Sequence, residues 1–162
     1  RLLPLAVMGT RLRPIRYRSP VASAQVKTAV LLAGLSAPGE TVVEEPGPSR
    51  DHTERMLPAF GVRVRVEGNR VSAEGEAELR PSDLRVPADL SSAAFFIVAA
   101  LVVDGSELTI RSVGVNPTRT GLLDILRDMG ADPSVEPAGT VSGEPVAHLH
   151  VRASGLRGVE VG

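Results

Sequence analysis

Ser23 and Gln25 stand two residues apart at the head of a run, Pro20 to Leu35, that is otherwise apolar except for Lys27 and Thr28. A hydroxyl and an amide beside the first N–H groups of a helix, which have no intrahelical partner, can hold an anion. Little else in the chain offers chemistry. Cysteine is absent, which removes thiolate zinc sites, disulfides and a cysteine nucleophile. His52, His148 and His150 lack the carboxylate or second-ligand spacing of a metal site. His148 and His150 share one face of a strand pattern and are expected in solvent. Neither a Gly-rich phosphate loop nor a nucleophile triad occurs.

The element that must position Ser23 and Gln25 is a helix from about Ala22 to Leu35. A helix apolar all round is expected to be buried on every face. Lys27, one turn inside it, is expected to snorkel towards water. Past Ala37-Pro38-Gly39, the residues Glu40 to Glu44 are β-branched and strand-like. Pro46-Gly47-Pro48 breaks the chain. Asp51 and Glu54 then have the spacing of a capping box for a second helix, Asp51 to Phe60, that should lie on the outside. Pro58 should kink or shorten it, and Gly61 should end it. Val62 to Val66 alternates as a half-buried strand and turns through Glu67-Gly68-Asn69 into Arg70 to Ala73. Upstream, Leu5 to Met8 and Pro14 to Tyr17 read as strand material.

The second half repeats this order. Leu84 to Val86 reads as a strand, Ser91 to Val103 as another all-apolar helix, and Glu107 to Ile110 as a strand. Gly121 to Met129 is an amphipathic helix stopped by Gly130, followed by strands at Ser134-Val135 and Val146 to Val151. Landmarks recur at a constant spacing of 69 residues: Ser23 answers to Ser92, Ser49-Arg50 to Thr118-Arg119, Gly61 to Gly130 and Glu67 to Glu136. Each half therefore reads β-α-β-α-β-β, an α/β (α+β) unit with one buried and one surface helix.

Bulk properties bound the function. The 162 residues suffice for one domain or two small ones, and 43% hydrophobic with 23% charged residues permits a core. A net charge of −1 and only four aromatics (Tyr17, Phe60, Phe95, Phe96) argue against nucleic acid and anionic membranes as partners. The longest apolar run, Ala93 to Val103, is too short to span a bilayer. The N-terminus is too short and Pro-interrupted for a signal peptide. Arg1 opens and Gly162 closes the chain inside plausible strands, so both ends read as cut and the chain as a piece of something larger.

Four ordered blocks identify a resemblance: Ala22 to Lys27, Ser49 to Leu57, Asp89 to Phe95, and Asn116 to Gly121. Together they resemble the EPSP synthase (3-phosphoshikimate 1-carboxyvinyltransferase) family across nearly the whole chain. The Ser-Ala-Gln form looks like the bacterial class that includes glyphosate-tolerant enzymes. The resemblance implies the enolpyruvyl transferase fold, an inside-out α/β barrel-like arrangement of such units. Residues 1–86 would be the last unit of a first domain with its preceding strands, and 87–162 the first unit of a second. It implies a cytoplasmic transferase of the shikimate pathway, without a cofactor or metal. The enolpyruvyl group would pass from phosphoenolpyruvate to shikimate 3-phosphate, the two substrate partners.

Substrate contact is implied for Ser23, Ala24, Gln25 and Arg50, with Ser49 a weaker candidate. No catalytic residue is expected in this piece. The blander readings are that Ser23 is an ordinary cap and that Arg50 pairs with Asp51 or Glu54 on the surface. Arg119 is expected to be structural, and Ser91-Ser92 to cap a core helix. A helix N-terminus contributes about 0.3–1 kcal/mol, and up to about 2 when partly buried. One charge-assisted hydrogen bond adds roughly 1.5–3 kcal/mol. Millimolar binding needs about 4 kcal/mol net, so the mouth is expected to need arginines from elsewhere. Two alternatives stand beside this reading: the UDP-N-acetylglucosamine enolpyruvyl transferase, against which the Ser-Ala-Gln and Ser-Arg-Asp-His-Thr-Glu blocks argue, and a non-catalytic scaffold or binding module of the same fold. The piece alone is expected to be inactive and to self-associate through apolar edges.

Overall fold

The structure, a computed structural model, describes residues 4–161, so the readings placed on Arg1 and Gly162 lie outside it. It divides into two units, Arg1–Pro81 and Ser82–Gly162. In the first, the order is β1 (Arg16–Arg18), α1 (Ala24–Gly34), β2 (Glu40–Glu44), α2 (His52–Met56), β3 (Val64–Glu67) and β4 (Arg70–Glu74). The sheet order is β1-β2-β4-β3, with β1 parallel to β2 and the other pairs antiparallel. The β-branched run in β2 buries Val42 and Val43, and Val43 joins Leu31, Leu57, Val62 and Val71 in the core. α1 comes close to β2 because Gly34 has no side chain: a Cβ there would stand 2.5 Å from the Thr41 Cβ.

The second unit contains α3 (Leu90–Val102), β5 (Glu107–Gly114), α4 (Gly121–Asp128), β6 (Ser134–Val141) and β7 (Glu144–Arg152). Its sheet order is β5-β7-β6. A parallel bridge between Ala88 and Val113 stands where the first unit has β1 beside β2. The strand order is thus the same in both units, with the edge strand reduced to one bridge in the second. Leu123 and Leu126 on α4 pack with Ile97, Leu101 and Leu149.

Several expectations need correction. No strand forms at Leu5 to Met8 or at Leu84 to Val86, where Leu5, Val7, Met8 and Val86 are exposed and lack a neighbouring strand. The capping box at Asp51 does not form: the Asp51 carboxylate accepts from Arg55 Nε at 2.8 Å, and Glu54 turns inward. α2 is only five residues long, and Pro58 falls in the 3-10 turn Leu57–Phe60 that follows it. Gly61 ends that turn at φ +84, a left-handed conformation that glycine adopts without penalty.

The two long helices are not buried all round. α1 buries Lys27, Leu31 and Gly34, and α3 buries Leu90, Ala93, Ile97, Ala100 and Leu101. These are single stripes at helical spacing. Each helix packs on one face of one sheet, which can cover no more than that; Leu32, Phe95, Phe96 and Val102 stay exposed.

Candidate functional site

α1 starts where Ser23, in an extended conformation (φ −144, ψ 106), caps it by accepting from Val26 N. That bond is long at 3.4 Å, and the same hydroxyl donates to Gln25 Oε1 at 3.4 Å. Ser23 and Gln25 are therefore brought together at the open end of the helix, with Ala24 between them. Gln25 is exposed while Ser23 and Ala24 are half-buried. Among the described residues no acceptor is recorded for the Ala24 and Gln25 N–H groups. Two backbone donors and an exposed amide thus stand at a positive helix end, beside a hydroxyl held only by long bonds, a combination that recognises an oxyanion.

Behind this mouth lies a charged cluster that sequence reasoning missed. Lys27 does not snorkel: its side chain is 3% exposed, and Nζ lies 3.1 Å from Glu45 Oε2 and 2.7 Å from Glu54 Oε1. A buried ammonium survives only when paired, and here two carboxylates do the pairing. Glu45, directly after β2, also accepts from Ser23 N at 2.8 Å through Oε1 and from Ser49 Oγ at 2.7 Å through Oε2. Burial pushes the Glu45 carboxyl up, but the Ser49 and Ser23 hydrogen bonds and the Lys27 ammonium outweigh it. The net position is below the ordinary 4.5. Thr28 and Thr53 share a hydroxyl contact of 2.6 Å, a second polar link between α1 and α2. Glu54 Oε2 is buried without a partner among the described residues.

Arg50 follows this cluster. Both carboxylates proposed for its bland reading are engaged elsewhere, Asp51 with Arg55 and Glu54 with Lys27. No hydrogen bond or ion pair is recorded for Arg50 among the described residues, and it is half-buried. A guanidinium in that position is a fork for phosphate or carboxylate. Ser49, by contrast, has its hydroxyl committed to Glu45.

The corresponding place in the second unit is built differently. Asp89, not Ser91 or Ser92, caps α3, accepting from Ser92 N at 2.9 Å and Ser92 Oγ at 3.0 Å. Those hydrogen bonds hold the Asp89 carboxyl below its ordinary 3.8. Arg119 donates to Asp89 Oδ1 at 3.0 Å and to Ser91 Oγ at 2.6 Å, the structural role expected of it. The two strand histidines are more engaged than expected. His148 Nδ1 accepts from Ser112 N at 3.1 Å, and His150 contacts Thr109 and Glu136. No cluster of three or more potential metal ligands occurs among the described residues, and no helix there is long and apolar enough to cross a membrane.

A sequence model described as EPSP synthase (3-phosphoshikimate 1-carboxyvinyltransferase) matches residues 1–162. A 3-phosphoshikimate 1-carboxyvinyltransferase of Magnetococcus marinus is 55% identical over 161 residues, covering 99% of this chain and 36% of that protein. One of Alkalilimnicola ehrlichii is 58% identical over 159 residues, covering 98% and 36%. The solved EPSP synthase from Acinetobacter baumannii superposes with a TM-score of 0.84 at 51% identity, covering 93% of this chain and 34% of that one. A 2.37 Angstrom structure of EPSP synthase from the same organism gives 0.85 at 50%, covering 95% and 35%. The chain thus spans about a third of the length of the relatives it matches.

Proposed function

The chain belongs to the EPSP synthase (3-phosphoshikimate 1-carboxyvinyltransferase) family, and we propose that its α1 mouth is one wall of the shikimate 3-phosphate site in a full-length enolpyruvyl transferase. In that reaction the 5-hydroxyl oxygen of shikimate 3-phosphate adds to C2 of phosphoenolpyruvate while C3 gains a proton. The tetrahedral intermediate then loses phosphate from C2 and the proton from C3, giving the enolpyruvyl ether. The observation that carries the reading is the donor set at and beside the α1 mouth: the Ala24 and Gln25 N–H groups, the Gln25 amide, the Ser23 hydroxyl held only by long 3.4 Å bonds, and the uncommitted Arg50 guanidinium.

These groups bind and orient; none is placed to move a proton. Helix end, amide and one guanidinium together reach only a few kcal/mol before association costs. The remaining phosphate ligands and the acid–base groups therefore come from outside this chain, and the 162 residues alone are inactive. On the same reading, the first unit closes one domain of the enzyme and the second opens the next. The exposed apolar faces of α1 and α3 are then covered by further units. Without them the isolated chain self-associates, which light scattering would register as species heavier than 17.0 kDa. The cytoplasm is the expected compartment.

Calorimetric titration of shikimate 3-phosphate into the full-length protein, followed by a phosphate-release assay with phosphoenolpyruvate, tests the assignment. Binding and turnover support it. A full-length protein that folds but neither binds nor turns over would leave a scaffold of the same fold.

A further inference from the structure

We propose that Glu45 is a positioning residue for the substrate face: it sets the α1 mouth and the Arg50 loop together without touching substrate. This rests on the shikimate 3-phosphate reading. Its two oxygens divide the work. Oε1 takes the Ser23 N–H, which fixes where the cap residue enters the helix, and Oε2 takes the Ser49 hydroxyl. Between Glu45 and Ser49 runs Pro46-Gly47-Pro48, whose two rings fix φ. The Ser49–Glu45 hydrogen bond closes this segment into a clasp, and Arg50 is the next residue out. Lys27, from inside α1, holds Glu45 in place and ties it to Glu54 on α2.

The carboxylate therefore connects the two segments that carry the candidate ligands, the α1 head and the Arg50 loop, and through Lys27 also α2, while its own side chain is only 3% exposed. A group so buried cannot reach a ligand at the Gln25 amide, but it decides the geometry of those that can. Placement errors of about 1 Å are costly in such sites. Ser49 is then a strut for Arg50, with its hydroxyl turned away from the substrate.

A thermodynamic cycle on the full-length protein tests this, with shikimate 3-phosphate affinity measured by calorimetry for Ser49→Ala, Arg50→Met and the double variant. Ser49→Ala should weaken binding about fivefold in the parent, and less than about twofold once Arg50 is Met, because a strut has no effect without the group it supports. Equal losses in both backgrounds would overturn the proposal. Glu45→Gln gives the second readout. It should raise KM for shikimate 3-phosphate about tenfold while kcat changes less than threefold. Thr28→Val cuts the other polar link between α1 and α2 and should lower the melting temperature with KM unchanged. If the two variants shift KM alike at matched stability loss, Glu45 is merely structural. A parent protein that fails to bind shikimate 3-phosphate at all overturns the underlying reading, and this proposal with it. A binding parent with an additive cycle overturns this proposal alone.

Discussion

At the head of α1 the carboxylate that meets the helix is Glu45, which comes from the end of β2 and lies buried behind Ser23. At the head of α3 it is Asp89, the residue before the helix, and it stands in front. The spacing of 69 residues pairs Ser23 with Ser92, so the cap of α3 lies one helical turn upstream of the matching place in α1. The reason is chemical. Asp89 answers to Pro20, and proline has no side-chain acceptor to start a helix, whereas aspartate is among the best caps. α3 gains a first turn in which its own carboxylate takes the Ser92 N–H and hydroxyl, backed by Arg119. α1 begins later, and its first donors stay open. One repeated unit thus yields one helix end fronted by its own carboxylate and an arginine, and one end with neither in front of it.

The largest effect should come from removing the cation of each cluster. Lys27→Met leaves Glu45 and Glu54 buried without their shared counter-charge, a loss on the order of 3–5 kcal/mol that a urea titration of the full-length protein would register. Arg119→Met removes the partner of a solvent-exposed carboxylate and should leave the midpoint close to the parent's. Similar shifts for both would mean that the two clusters are equivalent after all.

Next in size is Arg50→Met, which should weaken shikimate 3-phosphate binding roughly ten- to hundredfold, the value of one charge-assisted contact. Arg119→Met should change that affinity less than about twofold. A comparable loss at both arginines would place substrate at both mouths and remove the contrast.

Much of this comparison is legible in the sequence. The repeat, the two helices and the Ser23–Gln25 head follow from apolar runs, turn residues and a fixed spacing, all of them local signals. The Lys27–Glu45–Glu54 cluster was not visible, because its members come from a helix, a strand end and a second helix, with no periodicity linking them. One hint existed. Lys27 is the only lysine against 17 arginines and sits in an apolar helix, which marks it as a residue with a special partner. The capping box at Asp51 misled for a related reason: Glu54 had a buried ammonium to satisfy, and that attraction outweighs a cap bond in water. Complete burial of the helices does not follow from their apolar sequence, because that sequence states what a helix can cover, while one sheet supplies only one covering face.

Smaller again, Gln25→Ala should cost about five- to tenfold in shikimate 3-phosphate affinity, the worth of one neutral hydrogen bond. Its repeat partner is already Ala94, so Ala94→Gln should gain no binding. Pro20→Asp sharpens the point. It gives α1 the acceptor that α3 has, and it should weaken the same affinity by several-fold as the new carboxylate competes for the open N–H groups. Unchanged affinity would show that cap position is not what separates the two ends.

The smallest effect is in acid. The folded pKa is lowered for both Glu45 and Asp89. Each therefore contributes stability that is present above its ordinary value, 4.5 for Glu45 and 3.8 for Asp89, and lost as pH falls through the depressed folded value. The consequences differ with burial. Protonating Asp89 costs α3 only a cap in solvent, so the Ser92 amide resonance should shift below pH 3.8 while the rest of α3 stays folded. Asp89→Asn, which keeps a capping oxygen, should abolish that shift and little else. Protonating Glu45 leaves the buried Lys27 with Glu54 as its one charged partner, so the Ser23 amide resonance should not titrate smoothly but disappear together with those of the surrounding core. A smooth titration at Ser23 would mean that Glu45 is as replaceable at its helix end as Asp89 is at the other.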